Sequence, residues 1–260
     1  MVDRPTLGIY RFSSCDGCQL ALLSPAETLQ GLTGELEILH FPALGRMAPE
    51  GEVDIALVEG SVDGEEDLER LRGLRARARF LITLGACATS GGLQALRNLA
   101  DAGLGLQQLY GNPDQWVEPR GASPISSAVP VDLELWGCPV TGQQVLSALR
   151  DLLLGAPPKS EPEALCVECR RRHQVCHLIT GAAPCLGPVT RAGCGALCPS
   201  FGRACYGCTG PSEVTNHSAL ALRLGGFGLL PAEIARRFLF IHSGTAACRR
   251  GAADLREIEP

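Results

Sequence analysis

"FLITLGACA", residues 80–88, is a run of apolar residues that closes on a glycine and a cysteine. It is short, has no polar alternation, and is bounded by glycine, as expected for a parallel strand covered on both faces. "VDIALVEG" at 53–60 shares this character, and "TLGIYRF" at 6–12, "LEILHFP" at 36–42 and "VDLELWGCP" at 131–139 read as three further strands. Helical patterns separate them, at about 19–31, 63–78 and 141–154. The 63–78 pattern starts acidic ("DGEEDLER") and ends basic ("LRARA"), which suits the helix dipole. Strand–helix alternation over residues 1–155 predicts an α/β unit, a doubly wound parallel sheet. Residues 111–130, "GNPDQWVEPRGASPISSAVP", have no period and read as a long excursion, functional or partner-facing.

The chain has 260 residues, 45% apolar and 20% charged, enough for one full core and a small second unit. A net charge of −5 gives no basic footprint for nucleic acid. No apolar run approaches the roughly 20 residues of a membrane span. "MVDRPTLGIY" has neither a secretory pattern nor a twin-arginine signal, which places the chain in the cytoplasm. In that reducing compartment, 13 cysteines argue for metal ligation or redox chemistry over a disulfide scaffold. The odd count leaves at least one cysteine outside any even set.

Four cysteines sit just past predicted strands: Cys15 and Cys18 after the first, Cys87 in "LGACATSGG" and Cys138 in "LWGCPVTG". Ligands of open α/β sheets bind beyond the carboxyl ends of the strands, so these thiols are expected at one spot. Any one alone reads as a small buried hydrophobe. A thioredoxin-like reading uses Cys15 and Cys18 and leaves the other two unexplained. A four-thiolate zinc or iron–sulfur site uses all four.

"GAPPKSEPEA" at 155–164 reads as a linker. Beyond it, residues 166–208 hold eight cysteines and little apolar periodicity, so an inorganic centre must hold them. Cys166, Cys169, Cys176, Cys185, Cys194, Cys198, Cys205 and Cys208 are nearly palindromic in spacing, with C-x2-C-x6-C at one end and C-x6-C-x2-C at the other. Eight thiolates make two four-ligand sites, as in a two-cluster ferredoxin-like fold, and Pro184, Pro188 and Pro199 lie beside cysteines. Zinc knuckles are the competing reading, and they leave the third four-cysteine site on the adjacent unit unexplained. Residues 231–244, "PAEIARRFLFIHSG", form one tail helix with Pro231 at its start and Gly244 beyond its end.

"CDGCQ" at 15–19, "VEGSV" at 58–62, "GACATSGG" at 85–92 and "GCP" at 137–139 combine with "CVECRRR" at 166–172, "PCLGPVTRAGCGALCPS" at 184–200 and "CYGCTGP" at 205–211. In this combination the chain resembles the small subunit of [NiFe] hydrogenases. The likeness is to the cytoplasmic group with the sulfhydrogenase delta and F420-reducing hydrogenase gamma subunits. The resemblance implies a flavodoxin-like domain, residues 1–155, carrying a proximal [4Fe–4S] cluster on Cys15, Cys18, Cys87 and Cys138. It implies medial and distal [4Fe–4S] clusters on the eight later cysteines, within a ferredoxin-like domain at 156–211, followed by a helical tail at 212–260. It also implies a separate large subunit bearing the Ni–Fe centre and a flavoprotein NAD(P)-reductase with further iron–sulfur subunits. The chain would then be the electron-transferring subunit of a hydrogenase, an oxidoreductase. Many relatives carry Glu where this chain has Gln19. The related complex I subunit has adjacent cysteines and no ferredoxin extension, unlike this chain.

Other residues keep two readings. His173 and His177 are solvated or replace a ligand, and Arg170, Arg171 and Arg172 steer an acidic partner or solvate a loop. Glu59 relays protons or caps a helix, and Cys248 fits neither thiol set. A flavin is not expected, because the cysteine pair occupies the turn where phosphate would bind. Two rival functions stand beside the hydrogenase reading: a zinc-stabilised structural adaptor and a free-standing iron–sulfur electron carrier.

Overall fold

A computed structural model gives the fold, and its description covers residues 4–23, 26–47, 51–99, 111, 121–157 and 163–256. Strands β1 (Thr6–Arg11), β2 (Glu37–Phe41), β3 (Arg46–Met47), β4 (Val53–Glu59), β5 (Ala78–Leu84) and β6 (Leu133–Leu135) form one sheet in the order β3-β2-β1-β4-β5-β6. All neighbours run parallel except β3, a two-residue edge strand antiparallel to β2. Without β3 the parallel order is that of the flavodoxin-like sheet, with its switch between β1 and β4. Asp54 fixes the start of that pair: its Oδ2 accepts from the Thr6 N–H at 2.9 Å and the Thr6 hydroxyl at 2.8 Å.

The continuous apolar runs follow from coverage on both faces. On one face Leu7, Ile9, Ile55, Leu57, Ile82 and Leu84 pack under α1 (Gly17–Leu23), α2 (Ala26–Glu35) and α5 (Gly142–Leu153). On the other, Ala56, Val58 and Leu81 meet Leu71 and Leu74 of α3 (Glu65–Arg77), together with Ile125 and Val129. Ile55, Leu57, Leu71, Leu74, Leu81 and Leu84 are essentially sealed from solvent. Each such burial stabilises by about 1.5–3 kcal/mol.

Three expectations need correction. The 19–31 pattern is two helices, α1 and α2, flanking residues 24–25, which lie outside the described residues; Pro25 has no N–H with which to continue a helix. The 80–88 run is strand only to Leu84, and "GACATS" turns into the short helix α4 (Gly85–Ser90). The tail has three helices: α9 (His217–Gly225), α10 (Pro231–Leu239) and α11 (Ala246–Arg256). Of the 111–130 excursion, residue 111 and residues 121–130 are described, and Ser123 bridges backbone to backbone with Val62. Part of the 155–164 linker, residues 158–162, lies outside the described residues.

Residues 163–211 form short helices, α6 (Cys166–Arg171), α7 (His177–Thr180) and α8 (Leu197–Ser200), joined by turns. Their own core is small, Leu165 and Ala196 packed with Cys185 and Cys205. Leu186 and Val189 join Leu220, Leu224, Ile234, Phe238 and Leu255 of the tail in one cluster.

Within that cluster His217 is buried and meets the Phe238 ring edge-on at 4.9 Å. Burial pushes its pKa down, Arg250 pushes it the same way, and Asp254 opposes them. An unfolded chain takes up this proton below about pH 6.5, whereas the folded chain resists it. This contribution is therefore complete above about pH 6.5 and is lost as pH falls toward the lowered folded value. Urea unfolding at stepped pH should show that acid-side loss in the wild type and a smaller slope in His217→Gln. Identical slopes would refute the assignment.

Candidate metal centre

The first four cysteines meet where the fold places ligands, beyond the strand ends at the β1/β4 switch. Cys15 and Cys18 span the turn from β1 into α1, Cys87 lies in α4 after β5, and Cys138 follows β6. In the Cys15–Cys18 turn Asp16 takes a left-handed conformation, φ 63°, and pairs with Arg11 at 2.9 Å. Gly85 and Gly92 leave room beside the sulfurs. A Cβ on Gly85 would run into Cys18 Sγ, and one on Gly92 would sit 2.8 Å from Cys87 Sγ.

The electrostatics shows these thiols as mutual neighbours. Burial pushes the Cys87 thiol up to about 11, with Cys138, Cys15 and Glu59 adding repulsion. Cys18 is also raised, first by burial, then by Glu59, and further by Cys87 and Cys138. Cys138 is raised by burial and by Cys15.

Glu59, 2% exposed at the end of β4, is the cap of α1. Its carboxylate accepts from the Cys18 N–H at 3.0 Å and the Gln19 N–H at 3.2 Å, so the helix-cap reading describes its contacts. Those hydrogen bonds lower its pKa, but burial outweighs them and the net direction is up.

Several of the eight later cysteines are close neighbours of one another. Burial, then Cys169, Cys185 and Cys176, pushes Cys166 up to about 11. A Cβ on Gly187 would stand 3.5 Å from both Cys166 Sγ and Cys185 Sγ, so those sulfurs are no more than twice that apart. Burial, then Cys194 and Cys198, pushes Cys208 up to about 11, and Cys138 of the first group lies close enough to add to it. Cys205 is raised by burial and neighbours Cys185 and Cys208. Its N–H donates to Cys185 Sγ at 3.2 Å. Among the described residues no three or more His, Cys, Asp or Glu side chains are grouped so as to hold a single metal ion.

Residues 15–152 match the family model described as "NADH ubiquinone oxidoreductase, 20 Kd subunit". The chain is 38% identical over 211 residues to sulfhydrogenase 2 subunit delta of Pyrococcus furiosus, covering 81% of this chain and 88% of that protein. It is similar to a chain in the crystal structure of an NAD+-reducing [NiFe]-hydrogenase in the H2-reduced state. That match has 31% identity and TM-score 0.54, over 60% of this chain and 94% of that one. The chain belongs to the small-subunit family of [NiFe] hydrogenases. As a hydrogenase subunit it serves an oxidoreductase. An actinobacterial-type NiFe-hydrogenase from Ralstonia eutropha shares the fold over 99% of this chain and 92% of that one, at TM-score 0.58 and 16% identity. No helix among the described residues is long and apolar enough to cross a membrane.

Sequence reasoning missed several partners of these hydrogenase-family cysteines. Gln94 joins the Cys87 segment to the strand end: its Nε2 donates to the Ser13 carbonyl and its Oε1 accepts from the Ser13 hydroxyl, both at 2.7 Å, and it opposes the upward shift of the Cys87 thiol. Glu168 accepts from the Gly193 and Ala196 N–H groups at 2.9 and 3.0 Å, holding the loop that carries Cys194. Gln94 lies outside any motif and Glu168 stands inside "CVECRRR" as a residue between cysteines, and nothing short of the fold shows what either one holds. His173 is exposed in a left-handed turn, and His177 begins α7. Arg170, Arg171 and Arg172 are exposed; Arg171 pairs with Glu163 at 3.2 Å. Cys248 is buried in α11, where burial raises its pKa, and none of the twelve other cysteines figures among the groups that shift it.

The cap gives a test. Glu59→Ala leaves two N–H groups at the start of α1 without their acceptor, which should cost about 1–3 kcal/mol for each group left buried and unpaired. Glu59→Gln, which keeps one acceptor oxygen, should lose less. Thermal unfolding of the two variants checks the order, and equal losses would count against the cap.

Proposed function

We propose that this chain is the electron-transferring small subunit of a soluble, cytoplasmic, multisubunit [NiFe] hydrogenase and that it holds three [4Fe–4S] clusters. Cys15, Cys18, Cys87 and Cys138 would hold the proximal cluster, Cys194, Cys198, Cys205 and Cys208 the medial, and Cys166, Cys169, Cys176 and Cys185 the distal. The observation that supports this reading is that neighbouring thiols run without a break from one proposed set to the next. The first meets the second at Cys138 and Cys208, and the second meets the third at Cys205 and Cys185.

The donor set fits such clusters. Burial and mutual repulsion hold the thiols protonated, and a cationic iron core reverses that balance, binding thiolates and releasing their protons. A zinc ion would need sulfurs about 2.3 Å from one atom. The zinc adaptor reading also leaves the four-cysteine site on the adjacent sheet unit unexplained. Each bound cluster supplies one-electron redox chemistry. The chain's own residues set its environment: Gln94 opposes the upward shift of the Cys87 thiol, the Gly207 N–H donates to Cys205 Sγ at 3.3 Å, and Glu59 places a buried carboxyl beside Cys18.

The family supports a separate large subunit carrying the Ni–Fe centre as partner. The likeness to an NAD+-reducing enzyme supports a flavoprotein NAD(P)-reductase with further iron–sulfur subunits as the other side of the relay. The complex purified without oxygen should contain, in this chain, about twelve iron and twelve sulfide, four of each per cluster. Cys18→Ser should lose iron from one site only and abolish hydrogen-driven dye reduction, while Cys248→Ser should lose none. Stoichiometric zinc without sulfide would overturn the proposal.

A further inference from the structure

One buried imidazole lies between the two thiol groups that meet at Cys138 and Cys208. His242, 3% exposed, follows α10. Its Nδ1 is 2.7 Å from Ser90 Oγ at the end of α4, three residues past Cys87. Its Nε2 is 3.0 Å from the backbone carbonyl oxygen of Cys208. A carbonyl oxygen only accepts, so Nε2 carries the proton and Nδ1 accepts. The Ser90 hydroxyl also lies 3.0 Å from the Ala86 carbonyl, and its one proton serves both acceptors.

The packing around this bridge is close. Gly244 lies so near the Ser90 carbonyl that a Cβ there would overlap it. Trp136, two residues before Cys138, has its ring 5.5 Å from that of His242. Gly210, two residues after Cys208, lies against the indole with no space for a Cβ. Arg191, three residues before Cys194, stands 5.2 Å over the same ring, and its N–H donates to the Gly210 carbonyl at 2.8 Å. Five segments meet at this seam, and four proposed cluster ligands, Cys87, Cys138, Cys194 and Cys208, lie within three residues of it. Without the imidazole, a buried carbonyl and a buried hydroxyl lose a partner, and the Cys205–Cys208 turn can recover one only by moving.

We propose that His242 is a positioning residue for electron transfer: by tying the Cys208 carbonyl to Ser90, it fixes the second thiol group against the first. The inference rests on the cluster reading and adds a residue which that reading does not use. It is tested in the intact complex, purified without oxygen, with His242→Phe, His242→Gln and Ser90→Ala. Gln can accept through Oε1 and donate through Nε2, whereas Phe fills the space and makes neither bond.

Iron and sulfide content, the EPR line shape of the reduced clusters and freeze-quenched hydrogen-driven reduction are read together. His242→Phe should keep its iron and sulfide, change the splitting caused by magnetic interaction between neighbouring clusters, and slow reduction beyond the proximal site about 10-fold. That is the scale on which outer partners of metal ligands act. Ser90→Ala should move both readouts the same way by less, and His242→Gln should restore them. A fully loaded His242→Phe complex with unchanged line shape and rate would overturn the inference and leave the cluster reading standing. So would a Gln variant no better than Phe. A wild-type complex without iron and sulfide would remove both. If His242→Phe does not load, Ser90→Ala decides by the same two readouts, since it removes a hydrogen bond and no packed ring.

Discussion

Thiolates that share a buried site repel one another, and the rest of this molecule is arranged around that repulsion. Water cannot relieve it at Cys18 or Cys205, both nearly sealed from solvent. Burial and neighbouring negative charge push in the same direction at every shifted cysteine among these twelve. Such a constellation is stable as thiols, or as thiolates around positive charge, and unstable between. A sheet whose strand ends deliver three segments to one spot can impose this cost, because its own core does not depend on the site. Leu7, Ile9, Leu57 and Leu84 are buried whatever the cysteines hold.

The later segment stands on different support. Of its larger apolar residues Leu165 and Leu186 are buried, while Ile179, Leu197 and Phe201 are exposed. Its residues gain shelter by joining the tail, where Leu186 and Val189 pack with the faces of α9, α10 and α11. The tail therefore carries burial that residues 163–211 cannot supply from their own sequence. Glu168 adds local order, with its carboxylate satisfying two N–H groups of the loop that carries Cys194.

What was legible in the sequence was what a period or a spacing can carry. Strands at 53–60 and 80–84 follow from unbroken apolar runs, and the acidic start and basic end of α3 mark a helix terminus at each side. The thiols were legible because cysteines at strand ends are rare enough to stand out. Short apolar runs do not separate strand from helix, which is why "GACATS" read as strand although Gly85 turns it into α4. α9 and α11 were missed for another reason. Their buried residues, such as Leu220, Leu224, Ala252 and Leu255, are small or sparse, and they make a face only against one another, α10 and the Leu186–Val189 segment.

The same reasoning explains why the sequence pointed to the ligands and passed over what holds them. A ligand declares itself by residue type, whereas a residue that holds a ligand declares itself only by position. His242 has the composition of an ordinary core histidine, and Ser90 that of a helix-end serine that bonds its own backbone. Their meeting depends on Gly244 letting the tail approach α4 and on Gly210 letting the Cys205–Cys208 turn lie against Trp136. Gly244 read as a helix stop and Gly210 as part of "CYGCTGP", and neither pattern shows which surface the glycine lets approach. The sheet thus gathers the first thiols by topology, and the tail brings the second group against them by contact, so the register between the two groups is a property of the closed fold and of no single motif.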